Sequence, residues 1–140
     1  MPPHPPAIPP EAEIASTGGF NAYVGPLYRL PDDGETKRFA FKIEDKHMNG
    51  SGSVHGGMLM SFADVAMSRT SRLVTGAKGV STVALNCDFV GPGKLGEVVE
   101  ARVRVTRTAR TMVFLSSELV VGERVLLVAT GLWKIAGEPA

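Results

Sequence analysis

The chain has 140 residues, of which 44% are hydrophobic, and this is enough to bury one substantial core. Its 15 basic and 14 acidic residues leave a formal net charge of +1, which gives no general electrostatic reason to bind nucleic acid or an anionic membrane. The single cysteine cannot form an internal disulfide. The composition therefore favours an intracellular, reduced protein, and we expect it in the cytoplasm.

The first ten residues are rich in proline and lack both the basic region and the long apolar run of a secretion signal. They predict a disordered tail over residues 1–10, followed by a single domain over residues 11–140. The most apolar stretches, residues 54–65 and 125–135, are too short or too interrupted to cross a bilayer, which needs about 20 residues of helix. We therefore expect a soluble protein without a membrane partner.

The segment before the first confident element is weakly determined. Residues 11–20 have the composition of a short helix, which Gly18 and Gly19 would end. Residues 38–44 alternate apolar and polar side chains, with Phe39, Phe41 and Ile43 on one face. This alternation is the period of a half-buried strand and gives the first confident strand.

Residues 56–74 form the only strong helix candidate. Their apolar side chains cover most of the circumference, so we expect a helix that is buried nearly all round. The polar exceptions, Ser61, Asp64 and Ser68, are spaced by three and four residues and share one face.

Four segments of strand character follow the helix, separated by turn signals. Short connections make such strands antiparallel, so the segments predict a four-strand meander. Apolar residues on both faces of the last segment predict a central strand. The predicted architecture is an α+β domain in which an antiparallel sheet wraps around one helix. The four segments are residues 82–89, 99–106, 112–121 and 125–135.

Asp64 is the most informative single residue, because a carboxylate within an apolar helix is costly to bury unless a partner compensates it. Either its face meets solvent or an N–H partner, or the carboxylate serves as a general base.

His55-Gly56-Gly57 opens the same helix, where the first N–H groups have no intrahelical acceptor and can hold a carbonyl oxygen as it becomes negative. An ordinary tight turn uses glycine as well. Gly57 and Asp64 lie about 10 Å apart along the helix axis, so they cannot both touch one reacting carbon. If both serve one carbonyl, the carboxylate comes from a second copy of the helix, which predicts a site shared between subunits.

Other chemistries lack their motifs. A dinucleotide-type glycine pattern fails because His55 occupies the place of the third glycine, and neither a serine-hydrolase elbow nor a phosphate-binding loop is present. The three histidines lack the spacing of a metal site, so we expect no catalytic metal. Cys87 falls on the apolar face of a strand and is interpreted as a small core residue.

The motif His47-Met48-Asn49, Gly52, Val54-His55-Gly56-Gly57 and Ala63-Asp64 resembles the signature of the hotdog-fold thioesterases of the PaaI-like, phenylacetate-pathway type. Asparagine, His-Gly-Gly and Ala-Asp all stand at that family's spacing, and the order of elements agrees over residues 39–135. The resemblance implies a hotdog fold and an acyl-CoA thioesterase that works as a homodimer or as a homotetramer. It implies neither a metal nor an organic cofactor.

The resemblance also implies roles for the motif residues. The Gly57 N–H polarises the thioester carbonyl, with Gly56 beside it in the substrate-binding turn, and Asp64 of the partner subunit activates water or attacks directly. Asn49 and His55 orient the thioester and support this turn.

Further substrate-binding candidates come from the later strands. Ser81 matches a position that in some relatives helps to place the water, and the adjacent Thr82 is its rival. The family often carries a glycine-arginine turn between the third and fourth strands, and here the turn reads Thr108-Ala109-Arg110. Arg107 and Arg110 are candidates to contact the coenzyme A phosphates, unless they are solvated surface cations.

Three hypotheses remain: a thioesterase, a hotdog protein that binds acyl-CoA without turning it over, and a structural domain whose His-Gly-Gly is only a turn. Asp64 together with Asn49 favours hydrolysis, because a pure binder needs no base. Hotdog dehydratases rely on a different Asp/His arrangement, which this sequence lacks. An aryl, a short-chain and a medium-chain acyl group all stay open.

Overall fold

The computed structural model of the protein describes residues 7–15 and 17–136. Seven antiparallel strands form one sheet, and one face of the sheet packs against a long helix. This is the predicted hotdog architecture. The strands are β1 (Glu13–Ile14), β2 (Tyr28–Asp33), β3 (Thr36–Lys42), β4 (Val80–Phe89), β5 (Val98–Thr108), β6 (Met112–Val121) and β7 (Arg124–Ile135), and the helices are α1 (Gly19–Val24) and α2 (Gly56–Thr75).

The ends of α2 are defined by local chemistry, and its range agrees with the prediction. At the start, the ring of His55 accepts a hydrogen bond from the backbone N–H of Gly57 and so caps the first turn. At the end, Gly76 adopts a left-handed conformation with φ of 71°, and its N–H donates to the carbonyl of Arg72. Only a residue without Cβ takes this conformation freely, so the helix stops there.

One face of α2 forms the centre of the core. Phe62 meets Phe41 of β3 edge to face, with ring centroids 4.7 Å apart, and Trp133 of β7 is fully buried. The expectation that α2 is buried nearly all round is wrong for a single chain, because Met60, Leu73 and Val74 are 37%, 37% and 41% exposed. Part of the apolar surface of α2 is therefore exposed in one chain.

The strand order is β1-β2-β3-β5-β6-β7-β4, which corrects the predicted four-strand meander. Strands β5, β6 and β7 form a meander, and β7 is central as predicted, whereas β4 pairs with β7 and not with β5. The chain after β4 is too long for a tight hairpin and crosses the end of the sheet. There Ile43 donates its N–H to the carbonyl of Glu97 and accepts the N–H of Gly96, which brings β5 beside β3.

The N-terminal part also differs from the prediction. Residues 13 and 14 are extended because they pair with Arg29 and Tyr28, and the helix begins at Gly19 where it was expected to end. Backbone pairing on the edge of β2 has overridden the local helix preference. Strand β2 carries Pro31 beside an irregularity in its register, and this obscures its pattern in the sequence.

The predicted tail falls only partly within the described range. Residues 1–6 lie outside it, while Ile8 packs against a small cluster of Leu30, Ala40 and Val98. Of the helices in the described ranges, none is long and apolar enough to span a membrane.

Candidate active site

Asp64 lies in the middle of α2 on the side that faces β4, and it is half-buried. The hydroxyl of Thr82 donates a hydrogen bond to its Oδ1 over 2.6 Å. Its second oxygen, Oδ2, has no hydrogen-bond partner among the described residues. The carboxylate is therefore held by one oxygen, while the other is available to accept a proton or a hydrogen bond.

The sequence favoured Ser81 over Thr82 at this place, and the structure brings Thr82 to Asp64 instead. The cause is a β-bulge in β4: Thr82 is opposite Trp133 and Ala84 is opposite Leu132, so Val83 is an extra residue. Beyond the bulge the alternation changes phase, and Thr82 shares the inner face with Leu85 and Cys87. Ser81 pairs with the exposed Lys134 on the outer face.

His55, Gly56 and Gly57 form the first turn of α2. The N–H of Gly57 donates to Nδ1 of His55 over 2.8 Å, whereas the N–H of Gly56 has no acceptor within the described part of the chain. A Cβ on Gly56 would lie only 3.0 Å from the ring of Phe89, which is 54% exposed. Gly56 thus allows an aromatic side chain from β4 to lie against the helix start, a contact that the sequence analysis missed.

Asn49 belongs to the loop that leads into α2. Its Oδ1 accepts the N–H groups of Ser51 and Ser53 over 2.8 and 3.0 Å, which fixes the loop and leaves its side-chain NH2 without a partner among the described residues. The loop is joined to the helix start because His55 donates its N–H to the carbonyl of His47 over 2.7 Å.

His47 itself is buried, and both of its ring nitrogens have partners. Its Nδ1 accepts the backbone N–H of Glu44 over 2.9 Å, so the other nitrogen carries the proton and donates to the carbonyl of Val24 over 2.6 Å. This tautomer follows from the acceptor role of Nδ1. The side chain joins the end of α1 to the loop that carries Asn49.

Cys87 lies on the inner face of β4 and is half-buried. Burial raises the pKa of its thiol, and the negative charges of Asp88 and Asp64 raise it further. The sulfur is therefore a neutral thiol at physiological pH, which suits a packing residue and not a nucleophile.

The two candidate phosphate ligands lie at the β5–β6 connection, where Ala109 donates its N–H to the carbonyl of Met112. Arg107 pairs with Phe114 on the outer face of the sheet, away from α2. Arg110 occupies the turn, next to Thr111, whose carbonyl accepts the N–H of Ile135. Because Ile135 pairs with Val80, the turn is close to the start of β4.

Two groups of predicted residues thus occupy opposite ends of the α2–β4 contact. The first, Thr82 with Asp64, offers a carboxylate. The second, Asn49 with His55, Gly56 and Gly57, offers N–H donors at the positive end of the helix dipole. A base and a polarising amide are the two elements that hydrolysis of an activated carbonyl requires, and one chain holds them apart.

Residues 51–128 match the family model described as the thioesterase superfamily. A protein of Pseudomonas aeruginosa named as an esterase is 31% identical over 113 residues, covering 80% of this chain and 84% of that protein. The chain belongs to the thioesterase superfamily. This result confirms the resemblance that the His-Gly-Gly and Ala-Asp motifs indicated.

Two further proteins are similar to this chain. Human acyl-coenzyme A thioesterase 13 is 34% identical over 94 residues, or 64% of each chain. The Escherichia coli PaaI protein from the phenylacetic acid degradation operon has a similar fold, with a TM-score of 0.72 at 21% identity over 79% of this chain and 80% of that one.

Proposed function

We propose that this thioesterase hydrolyses an acyl- or aryl-CoA to the free acid and coenzyme A, at a site formed by two copies of the chain. Membership of the superfamily supports hydrolysis of a thioester, and the similarity to an acyl-coenzyme A thioesterase supports the coenzyme A portion of the substrate. In each site, Asp64 of one chain acts on the carbonyl carbon while the Gly57 N–H of the other polarises the carbonyl oxygen.

One observation carries the proposal: β4 contacts the two site groups at its opposite ends. Thr82 near its start bonds to Asp64, and Phe89 at its end lies against Gly56. If two copies of β4 pair antiparallel about an axis at Asn86, with the bulge residue left out of the register, Phe89 of one copy comes opposite Thr82 of the other. The glycine turn of each chain then lies beside the carboxylate of its neighbour, which closes the separation of about 10 Å along one helix.

The free edge of β4 favours this pairing. The strand has ten residues and pairs on one side only, with β7, among the described strands. Val83, Phe89 and Val90 are 52%, 54% and 59% exposed. A long apolar edge with unpaired backbone groups is a template for another strand, and a second copy of β4 would satisfy those groups.

The local contacts suggest how the reaction proceeds. The thioester carbonyl oxygen accepts the hydrogen bond that the Gly57 N–H otherwise donates to the exposed ring of His55. The neighbouring Gly56 N–H is a second donor to this oxygen. Asp64 accepts a proton from water through Oδ2, and the resulting hydroxide attacks the carbonyl carbon. The C–S bond then breaks and the coenzyme A sulfur takes up a proton. Direct attack by the carboxylate is the alternative first step.

The unpartnered amide group of Asn49 lies in the loop before the glycine turn, and we assign to it the orientation of the thioester. Assembly of two dimers into a homotetramer and a cytoplasmic location stay predictions.

The decisive experiment compares the wild type with Asp64→Asn on a panel of aryl-, short-chain and medium-chain acyl-CoAs, with thiol release as the measured quantity. We expect turnover to fall at least about 100-fold while the fold and the dimer persist, because the variant keeps the shape and loses the base. Equal turnover in both proteins excludes the proposed role of Asp64. Binding of acyl-CoA without thiol release from the wild type, on every substrate, supports the non-catalytic binding alternative.

A further inference from the structure

Trp133 is the single tryptophan of the chain, and its side chain is fully buried on the inner face of β7. An indole N–H is only a donor, and it loses water without compensation when it is buried unless it finds an acceptor. Here it donates to the hydroxyl of Ser68 over 2.7 Å. Ser68 lies one turn beyond Asp64 on α2, on the same face of the helix.

The sheet places Trp133 next to the other partner of this helix face. Trp133 and Thr82 are directly opposite each other on β7 and β4, and Thr82 bonds to Asp64. Two neighbouring side chains of the sheet therefore bond to two successive turns of α2. The four residues form a closed frame, in which the helix contacts are about 6 Å apart along the axis.

A frame with two bonds restricts the helix more than one bond does. The Thr82 bond alone allows α2 to rotate or slide about that contact. The second bond, made by a rigid indole, opposes both movements. Gly131 leaves space for the indole, since a Cβ there would overlap the six-membered ring of Trp133 and lie 2.7 Å from the carbonyl of Ala84.

We propose that Trp133 and Ser68 are positioning residues for Asp64. They hold α2 so that Asp64 stays level, along the helix axis, with Thr82 and with the reacting carbonyl. The proposal rests on the function proposed above. A displacement of about 1 Å in a catalytic group can cost about 100-fold in rate. A bond that fixes the position of α2 relative to the sheet therefore affects turnover directly. Neither residue touches the substrate in this arrangement.

The kinetic test uses Trp133→Phe, which keeps a ring and removes the donor, and Ser68→Ala, which removes the acceptor at a half-buried position. We expect kcat to fall about tenfold in each, with KM within about twofold of the wild type, because a small displacement costs less than 1 Å would. Ser68→Thr, which keeps the hydroxyl, should restore most of kcat. Ser71→Ala removes another buried hydroxyl bond on α2, to the carbonyl of Met67, and should leave kcat unchanged.

A double-mutant comparison separates positioning from a general structural effect. In a Thr82→Val background the Ser68→Ala change should lower kcat no further, since the carboxylate is already released from the frame. Wild-type kcat in both single variants, or an equal tenfold loss in the Thr82→Val background, overturns the proposal.

A second readout is independent of turnover. If the two bonds support one frame, the urea midpoint of Ser68→Ala with Thr82→Val falls by less than the sum of the two single shifts. Additive shifts overturn the frame, whether or not the wild type releases thiol. If the wild type releases no thiol but the midpoint shifts are non-additive, the proposed function is wrong and the frame is supported.

Discussion

The two edges of the sheet are built in opposite ways. At one edge, β1 has only two residues, β2 contains Pro31, and Asp32 forms ion pairs with Arg29 and Lys37 over 3.3 and 2.7 Å. Short strands, proline and charge are devices that prevent another chain from adding to a sheet. At the other edge, β4 runs for ten residues with apolar side chains exposed. Only the second edge adjoins the candidate site, so the molecule protects one edge and leaves open the edge that carries this site.

The largest expected effect comes from disrupting the open edge. Val83→Lys places a charge on β4, and we expect a monomer whose turnover is at least about 100-fold lower, since each Asp64 then lacks the N–H donor of a second chain. Ile14→Lys, at a position that is 61% exposed on the protected edge, should change neither mass nor turnover. Light scattering with thiol release measures both. A monomeric Val83→Lys protein with full turnover would refute the shared site.

The next effect concerns the bulge within the open edge. Thr82→Val removes the hydroxyl that donates to Asp64, and we expect kcat to fall about tenfold, the loss typical of a hydrogen bond to a charged group. Ser81→Ala removes a hydroxyl on the outer face and should leave kcat unchanged. If steady-state kinetics show the larger loss for Ser81→Ala, the inner face of β4 has been assigned incorrectly.

A smaller effect is expected near the start of β4. Arg110→Ala should raise KM for an acyl-CoA up to about fivefold without changing kcat, as for loss of one solvent-exposed ion pair with a phosphate. Arg107→Ala, on the outer face, serves as the matched control and should not change KM. The difference should shrink at high salt because exposed charges are screened. Equal KM values for wild type and Arg110→Ala would exclude the phosphate contact.

The smallest effect on catalysis is expected for Glu100 of β5, which lies far from the open edge and whose ion pairs affect stability. Burial alone raises the pKa of Glu100, but hydrogen bonds from Arg38 and Arg102 outweigh it and hold that pKa below the ordinary value of 4.5. A carboxyl with a lowered folded-state pKa stabilises the fold above its unfolded pKa, and this stabilisation is lost as the pH falls through the folded value.

Glu100→Gln should therefore show a lower urea midpoint than the wild type near neutral pH. The two midpoints should converge as the pH falls from about 5 towards 3, with thiol release unaffected at neutral pH. A gap between the midpoints that is independent of pH would contradict the ion-pair account.

The residues of the site on α2 could be predicted from the sequence better than those on β4. Asp64 and the turn at His55 were readable because a carboxylate within apolar positions and a glycine pair before a helix stand out locally. Thr82 could be named only as the rival of Ser81, and Phe89 could not be named at all, because their contacts depend on which strand lies beside α2. A single inserted residue, Val83, reverses which hydroxyl faces the helix, and strict alternation along the sequence cannot reveal it.

The sequence by itself determined the long helix, its two ends, the later strands and the family of the fold. Periodicity and helix capping depend on residues that are close together in the sequence, so they can be recognised without the structure. Only the tertiary structure decided that β4 lies at an edge, that β5 crosses to β3, and that Trp133 reaches Ser68. Those contacts join positions far apart along the chain. They depend on how the strands are ordered around the core, a choice that local periodicity does not encode.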